Sequence, residues 1–175
     1  MSTKWFPMIL IFSTIAFSQE IQLTIDDAKK YVYSEVIDAS SMKKDVLFAR
    51  FKESVVPSLR DASQLIYSSN KRGGIVFEDA EKNSIVLNHS FDVKGLPYGC
   101  IIYNMKIEFK DGRYRCNVYD LTISYGGSKV EPLEVYLERK SMGWKKVLEA
   151  ANTGFGEIIS NIKSKMKTRA GDDNW

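Results

Sequence analysis

An Asp-Gly pair at positions 111 and 112, set between two runs of alternating apolar residues, constrains this chain's fold more than any other feature. Such a pair suits a two-residue type I′ hairpin loop, whose two positions both need positive φ, and the flanking alternation marks strands with one buried face. On the incoming side Ile101, Tyr103, Met105, Ile107 and Phe109 share one face, and Asn104, Lys106 and Glu108 share the other. Outgoing Tyr114, Cys116 and Val118 continue the apolar face, while Arg113 and Arg115 flank the turn. After Val118 the phase changes, because Tyr119, Leu121, Ile123 and Tyr125 now carry the apolar character. A bulge near Tyr119 or Asp120, or a strand covered on both faces, accounts for the change.

A second hairpin precedes the first. Ile75-Val76-Phe77 leads through the polar run Glu78 to Asn83 into Ile85, Leu87, His89, Phe91 and Val93, which alternate with Ser84, Asn88, Ser90 and Asp92. Pro97 and Gly99 break the chain between the hairpins, so four antiparallel strands are expected in sequence. Upstream, Tyr31 to Ile37 reads as another strand, and Ser40-Ser41 offers a cap for a helix carrying Met42, Val46 and Val55 or Val56 near helical spacing. Pro57 ends or kinks that helix; residues 58–69 and Leu133 to Leu137 each fit either helix or strand. Near the C-terminus Trp144, Val147, Leu148, Ala151, Phe155, Ile158, Ile159, Ile162 and Met166 form a stripe at steps of three and four. Gly154 and Gly156 are positions where this last helix is expected to bend or split. The fold class that follows is α+β, a curved antiparallel sheet with its helices on one face.

The first twenty residues have one early cation, Lys4, an apolar run and a small-x-small ending at Ala16-Phe17-Ser18. This is the layout of a secretory signal peptide, so residues 1–18 are expected to be removed, with an uncleaved anchor as the alternative. Residues 19–169 then form a single domain of ordinary size and 170–175 a flexible tail. The formal charge of +3 includes Lys4, the one charge in residues 1–18, so the mature balance is about +2. That is too weak to argue for nucleic acid. The expected location is the periplasm, or an extracellular or outer-membrane-associated position.

Three quoted stretches carry a family resemblance: YSEVIDASSMKKDVLFARF from Tyr33, GIVFEDAEKNSIVLNHSF from Gly74, and YNMKIEFKDGRYRCNVYDLTI from Tyr103. Together they resemble the domain-of-unknown-function family 4468 (DUF4468), exported proteins found mainly in Bacteroidota with a TATA-binding-protein-like (TBP-like) fold. The resemblance covers about Tyr31 to Lys167. Leu87-Asn88-His89 stands where that family often has Gly-Lys-Gly, and the stretch from Arg60 to Gly74 is longer than usual. It implies no catalytic residues. The fold's namesake grips the DNA minor groove with a doubled sheet, whereas this chain holds one such unit behind an export signal.

Candidate sites reduce to a few. His89, the chain's one histidine, falls among apolar neighbours and reads as a hydrogen-bonded core or rim residue. With one histidine and no closely spaced cysteine pair, a zinc site is not expected, nor is any cofactor. If the Asp-Gly turn closes the second hairpin symmetrically, Cys116 faces Ile107 and Cys100 faces Ile123, about seven positions apart, which leaves two free thiols. Glu78, Asp79 and Glu81 read as a solvated acidic turn; an envelope glycan hydrolase or transferase using them with His89 is the alternative function. Gly154-Phe155-Gly156 lacks the third glycine and the preceding strand of a dinucleotide motif. Lys163, Lys165, Lys167 and Arg169 complement the carbonyl end of the last helix, with weak contact to an anionic membrane surface as the sharper reading. The leading expectation is a non-enzymatic domain that binds an envelope protein or a small ligand through the polar sheet face, by way of Asn104, Lys106, Arg113 and Arg115.

Overall fold

A computed structural model describes residues 22–59, 74–93, 99–125, 129–140 and 143–167. The expected signal segment 1–18, the tail 170–175 and residues 60–69 lie outside them. The elements run β1 (Thr24–Ile25), β2 (Tyr31–Asp38), α1 (Lys44–Arg50), β3 (Gly74–Asp79), β4 (Ser84–Asp92), β5 (Cys100–Lys110), β6 (Arg113–Tyr125), β7 (Lys129–Pro132), α2 (Leu133–Glu138) and α3 (Trp144–Lys167). Strand order is β1-β2-β6-β5-β4-β3, with β7 also pairing β6, and every pairing is antiparallel. The expected meander is therefore present, and the first long strand returns to lie beside its last member.

The change of phase in β6 is a bulge. Ile102 pairs with Thr122 but Asn104 pairs with Tyr119, so Asp120 and Leu121 together oppose Tyr103. Asp120 takes φ +52°, a left-handed conformation that Asp accepts more readily than a bulky residue. One flank of this long strand is then shared: β2 pairs residues 113–118 and β7 pairs residues 122–125, on either side of the bulge. Leu133 to Leu137 resolves as helix, started by Pro132 at the end of β7.

The Asp-Gly turn departs from its expected type. Gly112 has φ +75°, but Asp111 is absent from the left-handed region, so the loop is not type I′. The reason lies in what the turn docks against. Gly112 N–H donates to Met42 O and Gly112 O accepts from Ala39 N–H, each at 2.8 Å. Asp111 Oδ1 accepts from the backbone N–H of Lys44 at 2.8 Å. Asp111 therefore caps α1 from across the fold, and the Ser40-Ser41 cap expected from sequence does not form; Lys43 occupies the cap position without a side-chain bond. Past Arg50 the helix widens, with Val56 N–H reaching back to Phe51 O, and continues helically through Leu59. Pro57 sits just after this wide turn, where a missing N–H breaks no regular ladder.

One face of the sheet carries the core. Ile101, Tyr103, Met105, Ile107 and Phe109 of β5 and Tyr114, Cys116, Val118 and Ile123 of β6 are buried beneath Leu47, Phe51 and Val55 and beneath Val147, Ala151, Phe155, Ile159, Ile162 and Met166 of α3. Two aromatic clusters fasten the helices: Phe48 and Phe51 meet Phe109 edge-on, and Phe155 meets Phe91 and Tyr103 edge-on, with centroids 4.9 to 5.7 Å apart. α3 runs unbroken through Gly154 and Gly156, so the helix is not split there. A Cβ on Gly154 would lie 2.6 Å from Phe91 Cε2, so the bare glycine makes room for the Phe91 ring of β4 against α3.

Candidate functional site

The other face of the sheet holds the polar members of the alternation. Ladder rows place Asn88, Asn104 and Tyr119 side by side, then Val86, Lys106, Asn117 and Ser34, then Ser84, Glu108, Arg115 and Val36, and finally Lys110, Arg113 and Asp38 at the hairpin end. All four residues expected to form a binding site lie on this one face. Their states differ. Asn104 accepts from Asn88 Nδ2 at 2.9 Å and donates to Asp120 at 3.4 Å, while Lys106 donates to Glu108 at 2.8 Å. Asn117 also donates to Glu108, at 3.3 Å, and accepts from Ser34 Oγ at 2.6 Å. The middle of the face is thus a network that satisfies itself.

At the hairpin end the network stops. Arg113 and Arg115 are exposed, and neither makes a hydrogen bond or ion pair among the described residues. With Lys110, Lys82, Glu108 and Val36 they line a depression of about 210 Å³. Lys82 comes from the turn between β3 and β4, whose Asn83 at φ +48° accepts from Phe109 N–H at 2.9 Å and holds the two turns together. Four cations face one carboxylate here. The Lys106 hydrogen bond, with the charges of Lys106, Arg115 and Lys110, holds the Glu108 carboxyl below the usual carboxylate range. Sequence reading found the two arginines but missed Lys110, Glu108 and Val36, although a register counted from the turn puts them in the same rows. Lys82 had no such signal, since it belongs to a different hairpin.

The remaining candidates stay apart. His89 is buried, with Nε2 2.7 Å from Leu59 O and Nδ1 3.2 Å from Tyr103 Oη. Those contacts suit a neutral ring that donates from Nε2 and accepts at Nδ1, and burial lowers its pKa, outweighing the hydrogen bond to Leu59 O, which raises it. Glu78 pairs with Lys52 at 2.7 Å and Asp79 with Lys82 at 3.2 Å. Glu78 lies opposite Ile85, four residues along β4 from His89, or about 13 Å at the strand rise. The acidic turn and the histidine are therefore separate features, and no cluster suited to a metal ion occurs among the described residues. Both cysteines are free. Cys116 faces Ile107 as expected, but Cys100 faces Ser124 instead of Ile123, because the bulge shifts the register by one. Burial pushes the Cys116 thiol up to about 12. Lys163 of the basic C-terminal cluster turns inward to Glu35, at 2.7 Å. No helix among the described residues is long and apolar enough to cross a membrane.

Residues 33–124 match the model of a family described as a domain of unknown function (DUF4468) with TBP-like fold, more than half of the chain. The chain belongs to this family. Solved structures agree at the level of fold. A DUF4468 family protein from Bacteroides ovatus superposes with a TM-score of 0.68 at 13% identity, over 83% of this chain and 90% of that one. A TBP-like protein from Parabacteroides distasonis gives 0.67 at 12% identity, over 83% and 97%. A comparison with curated proteins returns no match. The DUF4468 match runs from within β2 almost to the end of β6 and so contains the four ladder rows above and every residue that lines the depression, but the family description assigns that face no role.

Proposed function

We propose that this DUF4468 domain is an exported, non-enzymatic binding domain of the cell envelope that contacts a partner protein or ligand at the hairpin end of its open sheet face. One observation carries the reading: along a face whose middle is internally hydrogen-bonded, Arg113 and Arg115 stand exposed beside a depression with no hydrogen bond or ion pair among the described residues. Folding gains little from two neighbouring unpaired arginines, and recognition of an outside group is what such a pair supplies. The export half of the proposal rests on the signal-peptide layout of residues 1–18.

Native mass spectrometry of the protein purified gently from the envelope of a cell expressing the full chain, residues 1–175, tests both halves. The expected spectrum has the mass of a chain lacking residues 1–18 together with a bound small molecule or second protein that is lost in Arg113→Ala/Arg115→Ala. A bare chain in the envelope, or an adduct indifferent to those substitutions, would contradict the binding site, and a chain retained in the cytoplasm would contradict the location.

A further inference from the structure

We infer that the depression at the hairpin end is a phosphate site. The inference rests on the binding role proposed above and deepens it by naming the chemistry of the ligand. Lys82, Lys110, Arg113 and Arg115 approach one concavity from two different hairpins, which places cationic donors on more than one side of whatever enters. Asn83, buried and bonded to Phe109, fixes the turn that carries Lys82 against the end of β5, so the four cations sit on a braced frame. Arg113 and Arg115 are two residues apart on one strand and share its open face, so their planar forks are presented side by side.

The charge count selects the anion. Glu108, the one carboxylate in the lining, is already held by Lys106 and Asn117, and Lys82 already has Asp79 at 3.2 Å. Lys110, Arg113 and Arg115 have no carboxylate within ion-pairing distance among the described residues, and Lys110 and Arg115 sense Glu108 only at longer range. A single carboxylate ligand would leave most of this charge uncompensated. A phosphate monoester or diphosphate brings more charge and acceptor oxygens on several sides, matching guanidinium forks and ammonium groups together. Val36, half exposed beside Arg115, gives the carbon portion of such a ligand an apolar wall. The shared chemistry is a phosphate group, borne either by a soluble molecule or by a lipid headgroup.

The test uses the mature chain, residues 19–175, in amide-resolved NMR titrations at constant ionic strength. The probes are inorganic phosphate, inorganic pyrophosphate, acetate, and vesicles of phosphatidylcholine with or without an equal part of phosphatidylglycerol. Phosphate and pyrophosphate are expected to give saturable shifts at Lys82, Lys110, Arg113 and Arg115, with acetate at least about tenfold weaker. Arg113→Ala/Arg115→Ala should weaken binding at least about tenfold, and Lys82→Ala/Lys110→Ala should do so independently. Lys145→Ala/Lys146→Ala removes the same charge from exposed positions on α3 and should leave affinity unchanged. Arginine-dependent binding to the phosphatidylglycerol vesicles would identify a headgroup, and binding confined to the soluble anions a soluble ligand; either supports the site. Absence of saturable binding to every phosphate probe, or equal affinity in both cation variants, would overturn it. If that happens while native mass spectrometry still finds an arginine-dependent partner, the phosphate assignment falls and the binding face stands.

Discussion

Glu35 of β2 accepts a hydrogen bond from Lys163 Nζ at 2.7 Å, joining two residues 128 positions apart on the helix-covered side of the sheet. Tyr33 Oη donates to the same carboxylate, and each partner of the ion pair is only about a quarter exposed. The pair ties the C-terminal half of α3 to the strand that closes the meander. Partial burial raises its worth above that of a surface pair, and removing one member strands the other in a poorly solvated place. Lys163→Met should therefore cost about 1–2 kcal/mol, and a double-mutant cycle with Glu35→Gln should return a coupling near 1 kcal/mol. Urea unfolding of the four proteins measures it, and a coupling of zero would show the pair to be ornamental to stability.

Gly154 and Gly156 occupy one helix two residues apart and should respond to alanine in opposite directions. At Gly154 the new methyl meets the Phe91 ring at 2.6 Å, and that ring is held edge-on against Phe155 with centroids 5.1 Å apart. Forced repacking should cost about 1–3 kcal/mol. At Gly156 nothing lies within 4 Å, so alanine's better helix propensity should stabilise the domain by about 0.5–1 kcal/mol. Denaturation midpoints of the two variants decide this, and destabilisation of both would mean that the face of α3 near Gly156 is more crowded than described.

Stability should fall on mild acidification. Burial lowers the pKa of His89 in the folded domain, so between its folded value and the unfolded ~6.5 the unfolded chain binds more protons. The stabilisation is present in full above about pH 6.5 and is lost as pH falls through that window, by at most ~1.4 kcal/mol per pH unit. Denaturant midpoints taken from pH 8 down to pH 5 should decline in the native sequence and flatten in His89→Gln. A flat native profile would show that His89 keeps its ordinary affinity for protons inside the fold.

Local pattern revealed the parts of this fold that local pattern controls. Alternation around Asp111-Gly112 and through Ser84 to Val93 located four strands, the lost phase after Val118 marked the bulge at Asp120, and the stripe from Trp144 to Met166 marked α3 and its buried face. What escaped depends on contacts distant in sequence. The turn type yielded to docking against Ala39 and Met42, and the cap of α1 came from Asp111 rather than from an adjacent serine. β1 is two residues long and β7 four, too short for a period to emerge. In the candidate face, alternation correctly grouped Asn104, Lys106, Arg113 and Arg115, but only side-chain positions separate the first two, bonded within the sheet, from the last two, which are not.

The central claim is that contact with the outside is made at the Arg113–Arg115 end of the open face. Site-specific photocrosslinking in envelope-producing cells tests it most directly, with the photoreactive residue placed at exposed Val36 beside Arg115 and, for comparison, at exposed Val46 on α1. Adducts should form from position 36 and disappear when Arg113 and Arg115 are both changed to alanine. Adducts that form only from position 46, or that persist from position 36 without the two arginines, would contradict the account.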